Sequence, residues 1–316
     1  MMRKSLYIFT SLLLLASCGT RRGSQTETPA QRTFPRAEVP SIYTDSDSRL
    51  QWAATHYWDL FLDTSKAVND TLNGLSMDAL EQEMGTYTTM LNMMPVKDGQ
   101  AAVEHFFRSL ESFQKAKSKS TLFKHLSDLT ERYLHDPNSP VRNEDLYLPF
   151  LKGLSESQFT LPQYRDYYKW QAKMCSMNAV GTKATNFEYI GTDKKKGTLY
   201  DIEAEYLVLI FGNPDCGACR ELMEAMSAVP EVVDLQLSGK LVVADIYIDE
   251  DVDAWKAKAD TYPQSWINGY NPGQRIRREP LYHIPAIPSV YLLDASKTVL
   301  LKDAPQERLL EYLQTL

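Results

Sequence analysis

Cysteine is scarce in this chain: 316 residues contain four, Cys18, Cys175, Cys216 and Cys219, too few for a disulfide-stapled scaffold. No second Cys-x-x-Cys and no His-x-x-x-His accompanies Cys216 and Cys219. A four-ligand zinc site would therefore need Cys175 and His283 to converge on them by folding. Positive charge is also in deficit, with 34 Lys and Arg against 41 Asp and Glu and a net charge of −7, which speaks against nucleic acid as a partner. The apolar stretch Leu6–Ala16 is too short to span a bilayer. What is present, 43% hydrophobic residues over this length, suits one or two domains with cores of their own.

Arg3 and Lys4 precede Leu6–Ala16, the pattern of a signal peptide over residues 1–17. That stretch ends in Leu15-Ala16-Ser17-Cys18, which resembles the lipobox of bacterial lipoproteins. The resemblance implies cleavage before Cys18 and acylation of that residue, which would hold the protein on a membrane surface. The alternative is an ordinary secretory signal with a chance cysteine. Removing residues 1–17 deletes Arg3 and Lys4 and no acid, taking the charge from −7 to −9. Residues 18–40 are rich in Thr, Arg, Ser, Gln and Pro and read as a disordered tether with a reach of roughly 25 Å. Gly19-Thr20-Arg21-Arg22 carries no acid after the anchor. Neither acidic export nor Asp-type retention is signalled, and the expected address is the periplasmic face of the outer membrane.

From residue 41 to 180 the pattern is helical. Arg49–Phe61, Met77–Met94, Ala101–Lys117, Thr121–Tyr133 and Leu161–Met177 carry apolar residues at three- and four-residue spacing, with breakers at Pro95, Asp136–Pro140 and Pro162. From residue 181 to 316 strands alternate with helices. Phe187–Ile190 and Gly197–Tyr200 flank the turn Asp193–Gly197 as a hairpin. Leu207–Phe211 and Leu241–Tyr247 read as buried strands around the helix Gly217–Met226, with another helix at Val252–Ala259. A terminal hairpin pairs Ser289–Leu293 with Val299–Lys302 before the helix Pro305–Leu313. The predicted fold class is α+β multidomain: an all-α N-terminal domain and a C-terminal α/β sandwich.

The chemistry concentrates at Cys216-Gly217-Ala218-Cys219. A strand delivers Cys216 to a helix N-terminus, where free backbone N–H groups and the helix dipole favour the thiolate that attacks disulfides. Taken alone, the motif fits a redox dithiol, half a zinc site or an inert local disulfide. A loop of this size gives a disulfide little chain-entropy stabilisation, which is a poor reason for the pair to exist.

Residues 181–316 resemble the thioredoxin superfamily, in its TlpA/ResA-like branch of membrane-attached oxidoreductases. The resemblance rests on the hairpin before the central strand, on Leu207–Phe211 leading into the Cys-x-x-Cys, and on Ile287-Pro288-Ser289-Val290-Tyr291-Leu292-Leu293-Asp294. It implies a cis Pro288 facing the cysteines, with Ile287 and Pro288 holding a substrate peptide as an added strand. Cys216 would attack and Cys219 resolve, without cofactor or metal, on protein disulfides, with rereduction by a membrane electron donor. The helical half and the join Gly181-Thr182-Lys183-Ala184 resemble a domain of unknown function that precedes thioredoxin domains in bacterial lipoproteins. Three positions depart from the family. Asp215 replaces the usual Trp and opposes the thiolate, while Arg220 favours it. The acid usual six residues before the first cysteine falls on Ile210, and the helix glutamate falls on Leu222, with Glu221 and Glu224 nearby. A less stabilised thiolate predicts a more reducing couple.

Other residues carry milder expectations. Cys175 shares a helical face with Tyr164, Tyr167, Tyr168 and Met174 and reads as core, the alternative being a third redox thiol. His283 reads as polar surface. Trp52, His56, Tyr57 and Trp58 read as core, and Lys194-Lys195-Lys196 as a solvated turn. The expected function is a lipid-anchored periplasmic thiol-disulfide oxidoreductase. The alternative is a non-catalytic envelope lipoprotein that senses oxidation or binds a partner.

Overall fold

The computed structural model describes residues 32–68 and 71–316. The predicted signal peptide, the anchor Cys18 and most of the tether lie outside the described residues. Six helices open the chain: α1 (Ser46–Thr55), α2 (Met77–Asn92), α3 (Val96–Ala116), α4 (Leu122–Leu134), α5 (Glu144–Glu156) and α6 (Pro162–Cys175). Asp45, Ser76 and Asn143 cap α1, α2 and α5 by accepting backbone N–H bonds from Ser48, Ala79 and Leu146, which satisfies donors a helix start leaves open. The helices bury one aromatic-rich core in which Trp58 stacks on Phe106 at 5.1 Å. Asp59 ties the turn after α1 to α3, accepting from His56 Nδ1 and His105 Nε2 at 2.7 Å each.

Two features of this half differ from expectation. Residues 32–40 are not tether. Phe34 inserts its ring 5.3 Å from those of Tyr57, Trp58 and Phe61, the Arg32 N–H donates to Gly74 O, and Arg36 pairs with Glu83 at 2.8 Å. One aromatic side chain in a polar stretch suffices, because the pocket receiving it is itself aromatic. Helix α5 forms where no helical spacing marks it, because Pro149 stands inside it and most of its residues are buried, leaving no amphipathic stripe. The hydrogen bond that Pro149 cannot donate to Asp145 O is supplied by Gln100 Nε2 at 2.9 Å.

The remaining chain runs β1 (Glu188–Gly191), β2 (Lys196–Thr198), β3 (Tyr206–Gly212), α7 (Gly217–Ala228), α8 (Pro230–Leu237), β4 (Leu241–Tyr247), α9 (Val252–Lys258), β5 (Ile267–Tyr270), α10 (Arg275–Arg278), β6 (Ser289–Asp294), β7 (Val299–Leu301) and α11 (Gln306–Leu313). The strands form one mixed sheet in the order β2-β1-β5-β4-β3-β6-β7. β3 pairs in parallel with β4 and antiparallel with β6, placing it at the centre. Alternation along β3 divides its side chains between two layers. Val208 and Ile210 pack with Leu222 and Met226 of α7, and Leu207, Leu209 and Phe211 pack with Phe187 and Tyr282 on the other face. The architecture is a helix-rich N-terminal part joined to a thioredoxin-like α/β part. The buried apolar clusters of the two do not merge, and polar side chains make up much of the contact between them.

Candidate active site

Strand β3 ends at Gly212, and the turn Asn213-Pro214-Asp215 delivers Cys216 as the N-cap of α7. Asn213 holds the turn at three points: its Oδ1 accepts from the Asp215 N–H, its carbonyl accepts from the Cys216 N–H, and its Nδ2 donates to Asp249. Cys216 and Cys219 are joined as a disulfide. The Cys219 N–H points at Cys216 Sγ, 3.1 Å away, so in the reduced protein that donor and the α7 dipole both stabilise a Cys216 thiolate. The third element is the loop that leads into β6. The Ile287–Pro288 peptide is cis, and the Ile287 carbonyl oxygen lies 3.7 Å from Cys216 Sγ. The four residues singled out in the two motifs thus meet at one end of the sheet, although 71 positions separate Cys216 from Ile287.

The charges around the pair differ from what the motif alone indicates. Asp215 is ion-paired with Lys258 of α9, so the carboxylate beside the thiol is partly neutralised. Arg220 donates to the Pro214 carbonyl instead of reaching a carboxylate. Both partners of the Asp215–Lys258 pair are well exposed, and such a pair contributes little to stability.

A buried acid stands level with Ile210, on the adjacent strand. Ile210 is in register with Asp245 of β4, and parallel neighbours in register point to the same face, here the face covered by α7. Asp245 is 4% exposed, its Oδ1 has no hydrogen-bond partner, and a Cβ on Gly212 would stand 3.0 Å from its Oδ2. Burial raises its pKa from 3.8 to about 7. A folded-state value above the unfolded one means that the native state holds the proton more tightly, so stability falls as pH rises from about 4 to about 7. Asp245→Asn is therefore expected to raise stability at pH 8 by about 3 kcal/mol and to change it little at pH 4. Urea unfolding at the two pH values measures this, and an equal effect at both would contradict it. The sequence did carry a signal, a lone acid inside the apolar run Leu241–Tyr247.

Cys175 is fully buried and unbonded. Burial, with Glu144 beside it, pushes its thiol far up, so it stays protonated and unreactive. Of the tyrosines expected beside it, Tyr168 packs against the helical core, whereas Tyr164 and Tyr167 are exposed and Gln171 and Ala172 turn inward with Cys175. His283 is not surface. Its Nδ1 lies 2.7 Å from Glu144 Oε1 with its side chain 11% exposed. Glu144 also approaches His135 Nδ1 at 3.5 Å and Lys302 Nζ at 3.0 Å, and Lys302 donates to the Cys175 carbonyl. Cys175 and His283 thus do converge, but on Glu144 and with the Lys302 ammonium as the cation of the cluster. Burial opposes the charge of Glu144, yet His135, His283 and Lys302 outweigh it and hold the carboxyl well below its ordinary value.

Residues 17–175 match the family described as Domain of unknown function (DUF5106), and the chain belongs to it. Its C-terminal part is a thioredoxin domain. The crystal structure of a thioredoxin-like protein from Bacteroides caccae is similar over 90% of this chain and 99% of that one, at 34% identity and a TM-score of 0.76. The C-terminal domain of an uncharacterized protein from Bacteroides fragilis covers 43% of this chain and 98% of its own, at 44% identity and a TM-score of 0.42. The thioredoxin domain of a thiol-disulfide oxidoreductase from Bacteroides vulgatus covers 43% and 96%, at 17% identity and a TM-score of 0.39. No curated protein matches the chain.

Proposed function

We propose that the protein is a thiol-disulfide oxidoreductase of reductase-like poise that acts on protein disulfides. One observation carries the reading: Cys216 caps α7 with the Cys219 N–H aimed at its sulfur and the Ile287 carbonyl beside it. In the reduced protein the Cys216 thiolate attacks one sulfur of a client disulfide, forming a mixed disulfide and releasing the other client sulfur as a thiolate that takes up a proton. Cys219, deprotonated, then attacks Cys216 Sγ, releases the second client thiol and leaves the Cys216–Cys219 disulfide. Two electrons pass to the client, and an external dithiol restores the pair. The carboxylate of Asp215 next to Cys216 supports a reducing poise, weakened by its pairing with Lys258. The lipobox-like Leu15–Cys18 supports a lipid anchor on the periplasmic face of the outer membrane, where a membrane electron donor would supply that dithiol.

The test is a trap. Cys219→Ser, incubated with a disulfide-linked peptide, is expected to gain the mass of one peptide half through Cys216, and Cys216→Ser to gain nothing. If neither variant forms an adduct and wild type reduces no disulfide with dithiothreitol supplied, the protein is a non-catalytic binder.

A further inference from the structure

The cis-proline loop is fastened to the helical half at both ends. On one side His283 reaches Glu144 of α5. On the other, the Ala304 N–H donates to the Val290 carbonyl of β6 at 3.2 Å, and Asp303 beside it pairs with Arg142 at 3.3 Å. Between these ties lies a cavity of about 380 Å³ whose walls come from both halves of the chain. One wall is the end of the active site, Ala218, Glu221 and Leu222 of α7 with Ile287 and Pro288. The opposite wall is the turn between α4 and α5, residues 137–140 and Arg142.

That turn is held firmly in place. Asp136 Oδ1 accepts from both the backbone and the side chain of Asn138, Ser139 Oγ donates to Tyr133 O, and the Asn143 N–H donates to Leu134 O. The titratable groups lining the cavity are Arg142 and Asp303, which neutralise one another, and Glu221 and Glu307. The last two are exposed, come from α7 and α11, and form no ion pair among the described residues. The groove therefore presents uncompensated negative charge on two sides and no uncompensated positive charge.

Resting on the redox reading above, we propose that the α4–α5 turn is the far wall of the client groove, and that the groove takes an extended peptide segment with a Lys or Arg beside its disulfide cysteine. A client must bring its sulfur to Cys216, and the groove adjoins that point through Ala218 and Ile287, so the chain flanking the cysteine runs between Glu221, Glu307 and the turn. Charge complementarity there selects among clients.

The test uses the purified full chain and two disulfide peptides that differ only in carrying Lys or Glu next to the cysteine. Wild type is expected to favour the Lys peptide in kcat/KM by about fivefold, the scale of two partly exposed charge contacts. Glu221→Lys with Glu307→Lys is expected to reverse the preference. Asn138→Lys, which places a cation on the helical wall, is expected to lower it about threefold, with circular dichroism confirming the fold. Equal rates for the two peptides in wild type would overturn the charged groove, and a ratio unmoved by Asn138→Lys would overturn the helical wall. Loss of turnover of both peptides in wild type would instead sink the redox reading itself.

Discussion

Cys216→Ser should lower dithiothreitol-driven disulfide reduction by roughly a thousandfold or more, to the uncatalysed rate, because a serine hydroxyl neither ionises at neutral pH nor bonds to a sulfur leaving group. Cys219→Ser should lose turnover almost as completely, yet keep the first step, so that the mixed disulfide accumulates. The contrast follows from position. Cys216 is the α7 N-cap, and Cys219 contributes the N–H that faces its sulfur; the Cys219→Ser backbone retains that N–H. Around this pair two effects of similar size oppose each other. The α7 dipole favours the thiolate by about 0.3–1 kcal/mol, and an exposed carboxylate such as Asp215 counteracts it on a scale of about 0.2–1 kcal/mol. Lys258, paired with Asp215, weakens the opposing carboxylate without removing it. Activity that survives in Cys216→Ser would remove the proposed nucleophile.

Glu144→Gln should destabilise the protein by about 3–5 kcal/mol, because it leaves the Lys302 ammonium, 1% exposed, without its counter-charge. Lys302→Met should act on a similar scale by stranding the Glu144 carboxylate. The double variant Glu144→Leu with Lys302→Met should recover much of the loss, since replacing both charges removes the desolvation penalty instead of exposing it. The pH dependence runs opposite to that of Asp245. The Glu144 carboxyl is depressed below 4.5, so its contribution is present above about pH 4.5 and lost as pH falls through the folded-state value. Guanidinium unfolding of the four proteins at pH 7, and at pH values lowered below 4.5 through the folded-state value, measures both effects. A double variant no more stable than either single one would show that the cluster does not behave as a coupled pair.

What was legible in the sequence was local. A strand, a turn and a helix N-terminus within Leu207–Arg220, and Ile287-Pro288 just before β6, are short-range patterns that hold in almost any surroundings. The terminal hairpin and the helices α2, α3, α4 and α6 announced themselves by spacing for the same reason. Elements that depend on company did not. Helix α5 needed Gln100 to cover the carbonyl left open by Pro149. Strand β5, four residues containing Gly269, forms between β1 and β4 and has too little pattern of its own. Phe34 looked like part of a tether until the aromatic pocket that receives it existed.

The sequence by itself determined the Cys216–Cys219 pair, the elements that present it and the division between a helical and an α/β half, because spacing and capping act over a few residues. Tertiary structure alone decided which partners set the charges. Lys258 met Asp215, Asp245 took the level of Ile210 on the neighbouring strand, and His283, Lys302 and Cys175 gathered on Glu144. Electrostatic partners are chosen by distance in space, and the strength of each pairing by burial, neither of which is written in the order of the residues.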